Sequence, residues 1–214
     1  MKSLAIFDFD GTLFNSVDDV VLCFNEALAK LCFPTLKREE FFSCLGGNID
    51  EIISLVLKDN NTPENMETLK KVYLDIYYKS QKENTLPFPG SHELLLKLQE
   101  MGVILAINSN RFTDSLESFV DRFFGDIDFL LIEGHNFDTP SKPSPAGINK
   151  IIEKAGVAPS QAAYIGDSGT DIRTAQNAGI DCIIVKWGYG DSDAWENDYI
   201  LECVDEFSQI LKYF

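Results

Sequence analysis

The stretch Leu4-Ala-Ile-Phe-Asp-Phe-Asp-Gly-Thr-Leu13 contains the pattern on which the predicted fold depends. Its first four residues are apolar and are followed at once by acids, which is typical of a buried parallel strand that ends in a loop. Asp8 and Asp10 are two residues apart, so their side chains tend to point the same way from an extended chain. Such close carboxylates repel each other unless a cation lies between them. Gly11 lets the backbone approach an anion closely. Taken alone, the stretch also fits a loop with capping acids.

Short apolar runs of the same kind recur along the chain and alternate with apolar residues at helical spacing. This alternation predicts an α/β fold, namely a three-layer Rossmann-like core in which a parallel sheet has helices on both faces. The further predicted strands are Val103–Ile107, Phe129–Ile132, Ala163–Ile165 and Cys182–Val185.

Residues 17–84 break this alternation, because they show several helical patterns in succession and no convincing strand. We therefore predict an inserted all-helical cap subdomain at 17–84, with residues 1–16 and 85–214 forming the α/β catalytic core. The segment 85–90 (TLPFPG) is predicted to be the return linker, stiffened by its prolines. Alternatively, the same helices could pack directly on the sheet.

Polar side chains suited to a phosphate or a metal ion follow three further predicted strands. Because parallel strands bring their carboxyl ends to one edge of a sheet, these side chains should converge with Asp8 and Asp10. The combined set of carboxylates, a hydroxyl and a lysine could hold Mg²⁺ and a phosphoryl group. The additional residues are Ser109 and Asn110 after Val103–Ile107, Lys142 after Phe129–Ile132, and Asp167 and Asp171 after Ala163–Ile165.

At these four places the chain resembles the haloacid dehalogenase superfamily. The matching motifs are DFDGTL at 8–13, Ser109-Asn110-Arg111, Lys142-Pro143 and GDSGTD at 166–171. They are individually modest but jointly specific, and the similarity covers residues 1–16 and 86–190. The phosphoglycolate phosphatase-like branch, which has a helical cap after the first strand, is the most similar. The resemblance implies a phosphatase that acts on a small phosphorylated metabolite.

The resemblance also implies a role for each motif residue. Asp8 would be the nucleophile that forms an aspartyl-phosphate, and Asp10 would be the general acid and then the general base. Mg²⁺ would be bound by the carboxylates of Asp8 and Asp167 and by the backbone carbonyl of Asp10, with Asp171 in support. The phosphoryl oxygens would be held by the Ser109 hydroxyl, the Lys142 ammonium and the backbone amides of Asp10, Gly11 and Asn110.

Three residues depart from the pattern common in that superfamily. Phe9 stands where Leu is frequent, and Ser109 replaces a frequent Thr while keeping the hydroxyl. Arg111 stands where Lys is common, which keeps the charge but can alter the contact geometry. None of the three argues against hydrolysis.

The second aspartate of the first motif, Asp10, distinguishes a phosphatase from several other activities of the superfamily. Haloacid dehalogenases and phosphonoacetaldehyde hydrolases lack an acid at the position of Asp10, which a phosphatase needs to protonate a poor leaving group. A β-phosphoglucomutase-like phosphomutase keeps both acids, but its fourth motif usually begins Glu-Asp rather than Gly166-Asp167. We therefore predict a phosphoric monoester hydrolase, with phosphoglycolate as one possible substrate. A phosphomutase, a pyrophosphatase of the same superfamily and a binding protein without turnover are the alternatives.

Within the predicted cap, the segment Leu45-Gly46-Gly47-Asn48 is the candidate for substrate contact. Gly46 and Gly47 would let the backbone approach a ligand, and Asn48 adds a polar side chain. A turn between two cap helices explains the same residues equally well.

The composition narrows the possible partners. Acidic residues outnumber basic ones by 34 to 18, which gives a net charge of −16 and repels nucleic acid and anionic membranes. No apolar run reaches the roughly 18 residues of a membrane span, and the early acids argue against a signal peptide. The five cysteines are scattered without metal-binding spacing. We expect a cytoplasmic enzyme with a small-molecule substrate; its oligomeric state cannot be predicted.

Overall fold

A computed structural model describes residues 1–136 and 139–214. Its contacts divide the chain into two compact units, Met1–Phe14 with Pro87–Phe214 and Asn15–Leu86, here named the sheet unit and the helical unit. The strands are β1 (Leu4–Phe7), β2 (Phe14–Asn15), β3 (Leu86–Pro87), β4 (Ile104–Phe112), β5 (Phe129–His135), β6 (Ala162–Gly166), β7 (Asp181–Val185) and β8 (Glu202–Val204). The helices are α1 (Val17–Lys30), α2 (Arg38–Phe42), α3 (Ile49–Leu57), α4 (Pro63–Lys79), α5 (Ser91–Glu100), α6 (Thr113–Phe123), α7 (Ala146–Ala155), α8 (Gly169–Ala178) and α9 (Ser192–Trp195). Short 3₁₀ helices cover Lys58–Asn60, Pro159–Gln161 and Phe207–Tyr213.

The sheet unit is built on one parallel sheet with the strand order β5-β4-β1-β6-β7-β8. Phe7 of β1 pairs with Ile107 of β4 on one side and with Ile165 of β6 on the other. The chain extends the sheet first through β4 and β5 and then, in the opposite direction, through β6, β7 and β8. Ligands bind outside the carboxyl ends of the strands where the order reverses in this way, which here is the end of β1.

Alternate residues of β1 enter two separate apolar cores. Ala5 and Phe7 pack with residues of α5 and α6 on one face, whereas Leu4 and Ile6 pack with residues of α7 and α8 on the other. A strand that is covered on both faces must be apolar throughout, which explains the uninterrupted run before Asp8. The predicted α/β class with a parallel sheet and helices on both faces is therefore confirmed.

Two strands extend further than the apolar runs indicate. β4 continues to Phe112 and β5 to His135, with a shift in their pairing register between Asn108 and Phe112. The polar segment Ser109–Arg111 is therefore an irregular end of β4 and not a separate loop. Such irregularities re-aim side chains and are frequent beside functional sites.

The helical unit contains α1 to α4 and has a core of its own. The ring of Phe24 in α1 stacks on that of Tyr73 in α4, with 3.9 Å between their centroids. Buried Asp19 accepts hydrogen bonds from Asn84 Nδ2 at 2.9 Å and Thr85 Oγ1 at 2.7 Å, which ties the end of this unit to its first helix. Among the described residues, no helix combines the length and the apolar character needed to cross a membrane.

Candidate active site

Lys142 lies between two carboxylates at the carboxyl end of β1. Its Nζ is 2.8 Å from Asp8 Oδ1 and 2.7 Å from Asp171 Oδ1. The side chains of Lys142, Asp8 and Asp171 expose only 5%, 8% and 0% of their surface. Charges so deeply buried are tolerated only when they are paired and hydrogen-bonded, so the three groups form one electrostatic unit.

Tyr164 and Asn110 fix the position of this lysine. Lys142 Nζ donates to the Tyr164 hydroxyl at 3.2 Å, and that hydroxyl donates to the carbonyl oxygen of Asn108 at 2.6 Å. The Asn110 side chain binds the backbone of Lys142 twice, accepting from its N–H at 2.7 Å and donating to its carbonyl at 3.3 Å. The four sequence motifs predict no role for Tyr164. A phenol in an otherwise apolar buried strand is the available signal, because its hydroxyl needs a partner.

Asp171 organises the loop that leads into α8. Its Oδ2 accepts from Asp167 N at 3.1 Å, from Ser168 N at 3.0 Å and from Ser168 Oγ at 2.8 Å. Because Oδ1 faces Lys142, both carboxylate oxygens of Asp171 already have protein partners. Asp171 therefore occupies a supporting position behind Asp167.

Asp167 is enclosed by the backbone of two other loops. Its Oδ2 accepts a hydrogen bond from Tyr189 N at 2.6 Å. A Cβ atom on Gly11, whose φ is +80°, would lie 2.3 Å from Asp167 Oδ2, and one on Gly188 would lie 2.3 Å from Asp167 Cβ. Only residues without a side chain admit such a close approach, so these glycines set the place of the carboxylate.

The loop after Asp8 is closed by backbone contacts of its own. The Gly11 N–H donates to the Phe14 carbonyl at 2.9 Å, and the indole N–H of Trp187 donates to the Thr12 carbonyl at 3.0 Å. The prediction that the Gly11 amide holds a phosphoryl oxygen stays a prediction, although this amide donates to the Phe14 carbonyl here. Gly11 also makes room for Asp167, because it has no Cβ.

Burial perturbs the ionisation of the acids. It raises the pKa of Asp8 to about 7, against the opposing charge of Lys142 and with a smaller contribution from Asp171. Burial, and then the charges of Asp171 and Asp8, also raise the pKa of Asp167 well above its usual range. Although burial alone would lower the pKa of Lys142, the same two carboxylates hold it well above its ordinary value. Three carboxylates thus share one ammonium, and the cluster is short of positive charge.

The donor set fits a hard divalent cation. Asp8, Asp167 and Asp171 each offer an oxygen, and these atoms lie within 4.8 Å of one another. Mg²⁺ prefers oxygen ligands and is usually held by one or two carboxylates with water completing the octahedron. Since Asp171 is engaged by protein groups, Asp8 and Asp167 are the carboxylates suited to direct ligation.

Ser109 and Asp10 lie on the other side of the β1 end. Ser109 is buried, and its Oγ accepts from Arg111 N at 3.3 Å, which leaves the hydroxyl hydrogen able to donate to an anion. Asp10 is held by Arg111: Nε lies 3.1 Å from Oδ1 and 3.0 Å from Oδ2, and Nη2 donates to Oδ1. The sequence motifs do not predict this pairing.

The predicted substrate-contact residues of the helical unit form the start of α3. Asn48 Oδ1 accepts from Asp50 N at 3.0 Å and Glu51 N at 3.1 Å, while Glu51 Oε2 accepts from Asn48 N at 2.9 Å. Gly46 has a φ of +94°, and a Cβ on Gly47 would lie 2.5 Å from Glu51 Oε2. The contacts between Asn48 and Glu51 form a capping box at the N-terminus of α3. Gly46, Gly47 and Asn48 thus make the turn that leads into this helix. Their contact with a substrate stays a prediction.

Comparison with known proteins defines the class of this chain. The sequence profile of the haloacid dehalogenase-like hydrolases matches residues 5–185. A phosphoglycolate phosphatase from Pseudomonas syringae pv. tomato is 32% identical over 193 residues, covering 88% of this chain and 71% of that protein. One from Aquifex aeolicus is 30% identical, with coverage of 86% and 84%. The solved structure of a candidate phosphoglycolate phosphatase from Lactobacillus delbrueckii subsp. bulgaricus superimposes with a TM-score of 0.89 at 26% identity, covering 98% and 97% of the two chains.

The chain therefore belongs to the haloacid dehalogenase-like hydrolase family. Within that family its relatives place it in the phosphoglycolate phosphatase-like branch. It is an enzyme of the phosphatase class, a phosphoric monoester hydrolase. The family and enzyme class predicted from the four motifs are confirmed.

Proposed function

We propose that this phosphatase depends on Mg²⁺ and hydrolyses a small phosphorylated metabolite through an aspartyl-phosphate formed on Asp8. The observation that supports this most directly is the buried cluster of Asp8, Asp167 and Asp171, in which Asp8 and Asp171 also contact the Lys142 ammonium. A carboxylate held rigidly at a strand end, beside a fixed positive charge, suits attack on an anionic phosphoryl group.

Two chemical steps follow from this arrangement. In the first, an oxygen of Asp8 attacks phosphorus, the bond from phosphorus to the leaving oxygen breaks, and Asp10 gives a proton to that oxygen. In the second, a water molecule attacks the phosphorus of the aspartyl-phosphate and loses a proton to Asp10. Inorganic phosphate leaves and the Asp8 carboxylate is restored.

The remaining residues bind and neutralise the phosphoryl group. Lys142 and the Ser109 hydroxyl would hold its oxygens together with the backbone amides of Asp10, Gly11 and Asn110. Mg²⁺, bound by Asp8, Asp167 and the Asp10 carbonyl, would supply Lewis-acid neutralisation of the phosphoryl charge. Such electrostatic stabilisation dominates phosphoryl transfer, because charge spreads over the equatorial oxygens.

Phosphoglycolate is the first substrate to test, because the matched relatives from Pseudomonas syringae pv. tomato and Aquifex aeolicus are phosphoglycolate phosphatases. We further propose that residues 17–84 act as the cap that selects the substrate. A proposed small-molecule substrate also agrees with the acidic composition, which disfavours nucleic acid.

The test is a phosphate-release assay on phosphoglycolate, p-nitrophenyl phosphate, pyrophosphate and β-glucose 1-phosphate, with Mg²⁺ or with EDTA. We expect turnover of the monoesters, loss of turnover in EDTA, and a loss of about 10⁴-fold or more in Asp8→Asn. Asp128→Asn is the matched control, because this exposed aspartate precedes β5 at the opposite edge of the sheet. Trapped ³²P should appear on the wild-type protein and not on Asp8→Asn.

Three results would contradict the proposal. Conversion of β-glucose 1-phosphate to glucose 6-phosphate without phosphate release would identify a phosphomutase. Preferential cleavage of pyrophosphate would identify a pyrophosphatase. Undiminished activity in Asp8→Asn would remove Asp8 from the chemistry.

A further inference from the structure

Phe9, which lies between the two acids of the first motif, and Arg111, at the irregular end of β4, contact each other. The guanidinium carbon of Arg111 is 5.1 Å from the ring centroid of Phe9 and 5.5 Å from that of Phe119. Both rings are buried, and Phe9 also stacks on Phe14 with 4.2 Å between centroids. A planar guanidinium is attracted to such aromatic faces, most strongly where water is excluded.

The guanidinium seated on these rings binds the carboxylate of Asp10. Three contacts join Arg111 to Asp10: Nε to Oδ1 at 3.1 Å, Nε to Oδ2 at 3.0 Å, and Nη2 to Oδ1 at 2.5 Å. The arginine side chain is only 5% exposed, whereas that of Asp10 is 30% exposed. The arginine is therefore the fixed partner, and it restricts the orientation of a more accessible carboxylate.

We propose that Arg111 is a positioning residue that holds the Asp10 carboxylate for proton transfer, and that Phe9 is the seat that makes this possible. The inference rests on the proposed function, since it assumes that Asp10 exchanges protons with the leaving oxygen and with water. Neither Arg111 nor Phe9 needs to touch the substrate.

The chemistry of the two side chains explains why an arginine on an aromatic ring suits this role. A lysine offers a point charge on a flexible stem, whereas an arginine offers a flat fork that grips both oxygens of a carboxylate. A leucine at position 9 would present no aromatic face on which that flat group could lie. The contribution of Phe9 to positioning Asp10 therefore depends on an arginine at residue 111.

The dependence of kcat/KM on the basicity of the leaving group distinguishes a positioning role of Arg111 from a merely structural one. p-Nitrophenyl phosphate releases a weakly basic phenolate that needs little protonation, whereas benzyl phosphate, of similar size, releases a strongly basic alkoxide. The value of kcat/KM for each ester reports formation of the aspartyl-phosphate. We would measure both esters, and phosphoglycolate, with the wild type, Arg111→Met and Arg111→Lys.

We expect Arg111→Met to lower kcat/KM for benzyl phosphate about 100-fold and for p-nitrophenyl phosphate less than about fivefold, since general acid catalysis contributes about 10²- to 10⁴-fold. Arg111→Lys should lie between these limits, because it keeps the charge and loses the fork. Arg122→Met is the matched control. This exposed arginine lies at the far end of α6, 4.8 Å from the Phe123 ring, and its replacement should leave both values unchanged.

A double-mutant cycle tests the role of Phe9. Phe9→Leu should lower kcat/KM for benzyl phosphate about tenfold beside Arg111 but less than about twofold in the Arg111→Lys background, because contacting residues are non-additive. Melting temperatures and circular dichroism of each variant show whether it is folded, and Arg111→Lys supplies the answer should Arg111→Met fail to fold.

Equal losses on the two esters, or additive effects of Phe9→Leu and Arg111→Lys, would overturn the positioning role. A loss confined to the KM of phosphoglycolate would also overturn it, because Arg111 would then bind the substrate carboxylate. Failure of the proposed function is distinguishable, since it would show without any change at residue 111, either as no phosphate release from the three esters by the wild type or as undiminished activity of Asp8→Asn.

Discussion

Asp8 and Asp10 are two residues apart, yet they lie in different physical environments. The Asp8 side chain is 8% exposed and contacts the compact ammonium of Lys142, whereas that of Asp10 is 30% exposed and is gripped by the flat guanidinium of Arg111. A lysine next to the first acid supplies charge with little constraint on direction, and an arginine next to the second constrains direction. The difference suits the roles proposed for the two acids, in which Asp8 is a desolvated nucleophile and Asp10 exchanges protons with the leaving group and with water.

Removing the lysine that contacts Asp8 should have the largest effect on stability and activity. Lys142→Met removes the ammonium that Asp8 and Asp171 both contact, so we expect the free energy of unfolding to fall by about 3–5 kcal/mol at pH 8. Activity on p-nitrophenyl phosphate should fall about 10³-fold, since the charge facing the phosphoryl group is lost. Urea denaturation and steady-state kinetics measure the two quantities.

The control for that experiment is Lys97→Met. Lys97 pairs with Glu93 one helical turn away at 2.8 Å, and both side chains are largely exposed. Exposed pairs of this kind contribute little, so the change in stability should stay below about 0.5 kcal/mol. If Lys142→Met lowered the free energy of unfolding as little as Lys97→Met does, Lys142 would not be balancing buried charge.

A smaller effect is expected when the lysine is kept but its orientation is loosened. Tyr164→Phe removes the hydroxyl that accepts from Lys142 Nζ and donates to the Asn108 carbonyl. Loss of these buried hydrogen bonds should cost about 1–3 kcal/mol of stability and lower kcat about tenfold. Tyr199→Phe also removes a hydroxyl that donates to a backbone carbonyl, that of Ile180 at 2.8 Å, and it should leave kcat unchanged. Equal kcat losses in both variants would argue against a role of Tyr164 in orienting the lysine.

The smallest effect should appear in the dependence of Mg²⁺ binding on pH. Because the pKa of Asp8 is raised from 3.8 to about 7, the metal-free folded protein holds this proton more tightly than the unfolded chain does. The contribution of Asp8 to stability is therefore full below about pH 4 and is lost as the pH rises through 7. Mg²⁺ binds the carboxylate and must displace the proton, so its apparent affinity should rise about tenfold per pH unit up to about pH 7.

The pH dependence of Mg²⁺ binding can be measured through Tm. The increase in Tm on adding subsaturating or saturating Mg²⁺ would be recorded at several values between pH 5 and pH 8. The increase should grow with pH and then level off. In Asp8→Asn the growth should be weaker, because the proton of this carboxyl no longer competes with the metal. A stabilisation by Mg²⁺ that is the same at every pH would contradict the assignment of Asp8 as a ligand.

Much of this site could be predicted because parallel strands impose a common edge. Asp8, Lys142 and Asp167 each follow an apolar run, and the parallel sheet places the ends of those runs, β1, β5 and β6, at one edge with only β4 between β5 and β1. The fold class follows from the same alternation of strands and helices. These inferences need only the spacing of apolar and polar residues.

The contacts between the loops could not be predicted in the same way. Asn110 and Lys142 are 32 positions apart, Arg111 and Asp10 are 101 apart, and both contacts depend on an irregular end of β4 that no spacing rule indicates. Gly11 shows the same limit. A glycine at position 11 indicates an unusual backbone conformation, and the φ of Gly11 is +80°. The residue type could not indicate that the Gly11 N–H donates to the Phe14 carbonyl.

The hydrogen bonds from Asn84 and Thr85 to Asp19 bear on how such enzymes can diversify. These bonds join the beginning and the end of residues 15–86. The inserted segment is therefore held together by its own residues near the point where the chain leaves and rejoins the sheet unit. A different insertion could take its place without rerouting any strand of the parallel sheet. Evolution could thereby exchange one module while the phosphoryl-transfer chemistry stays where it is.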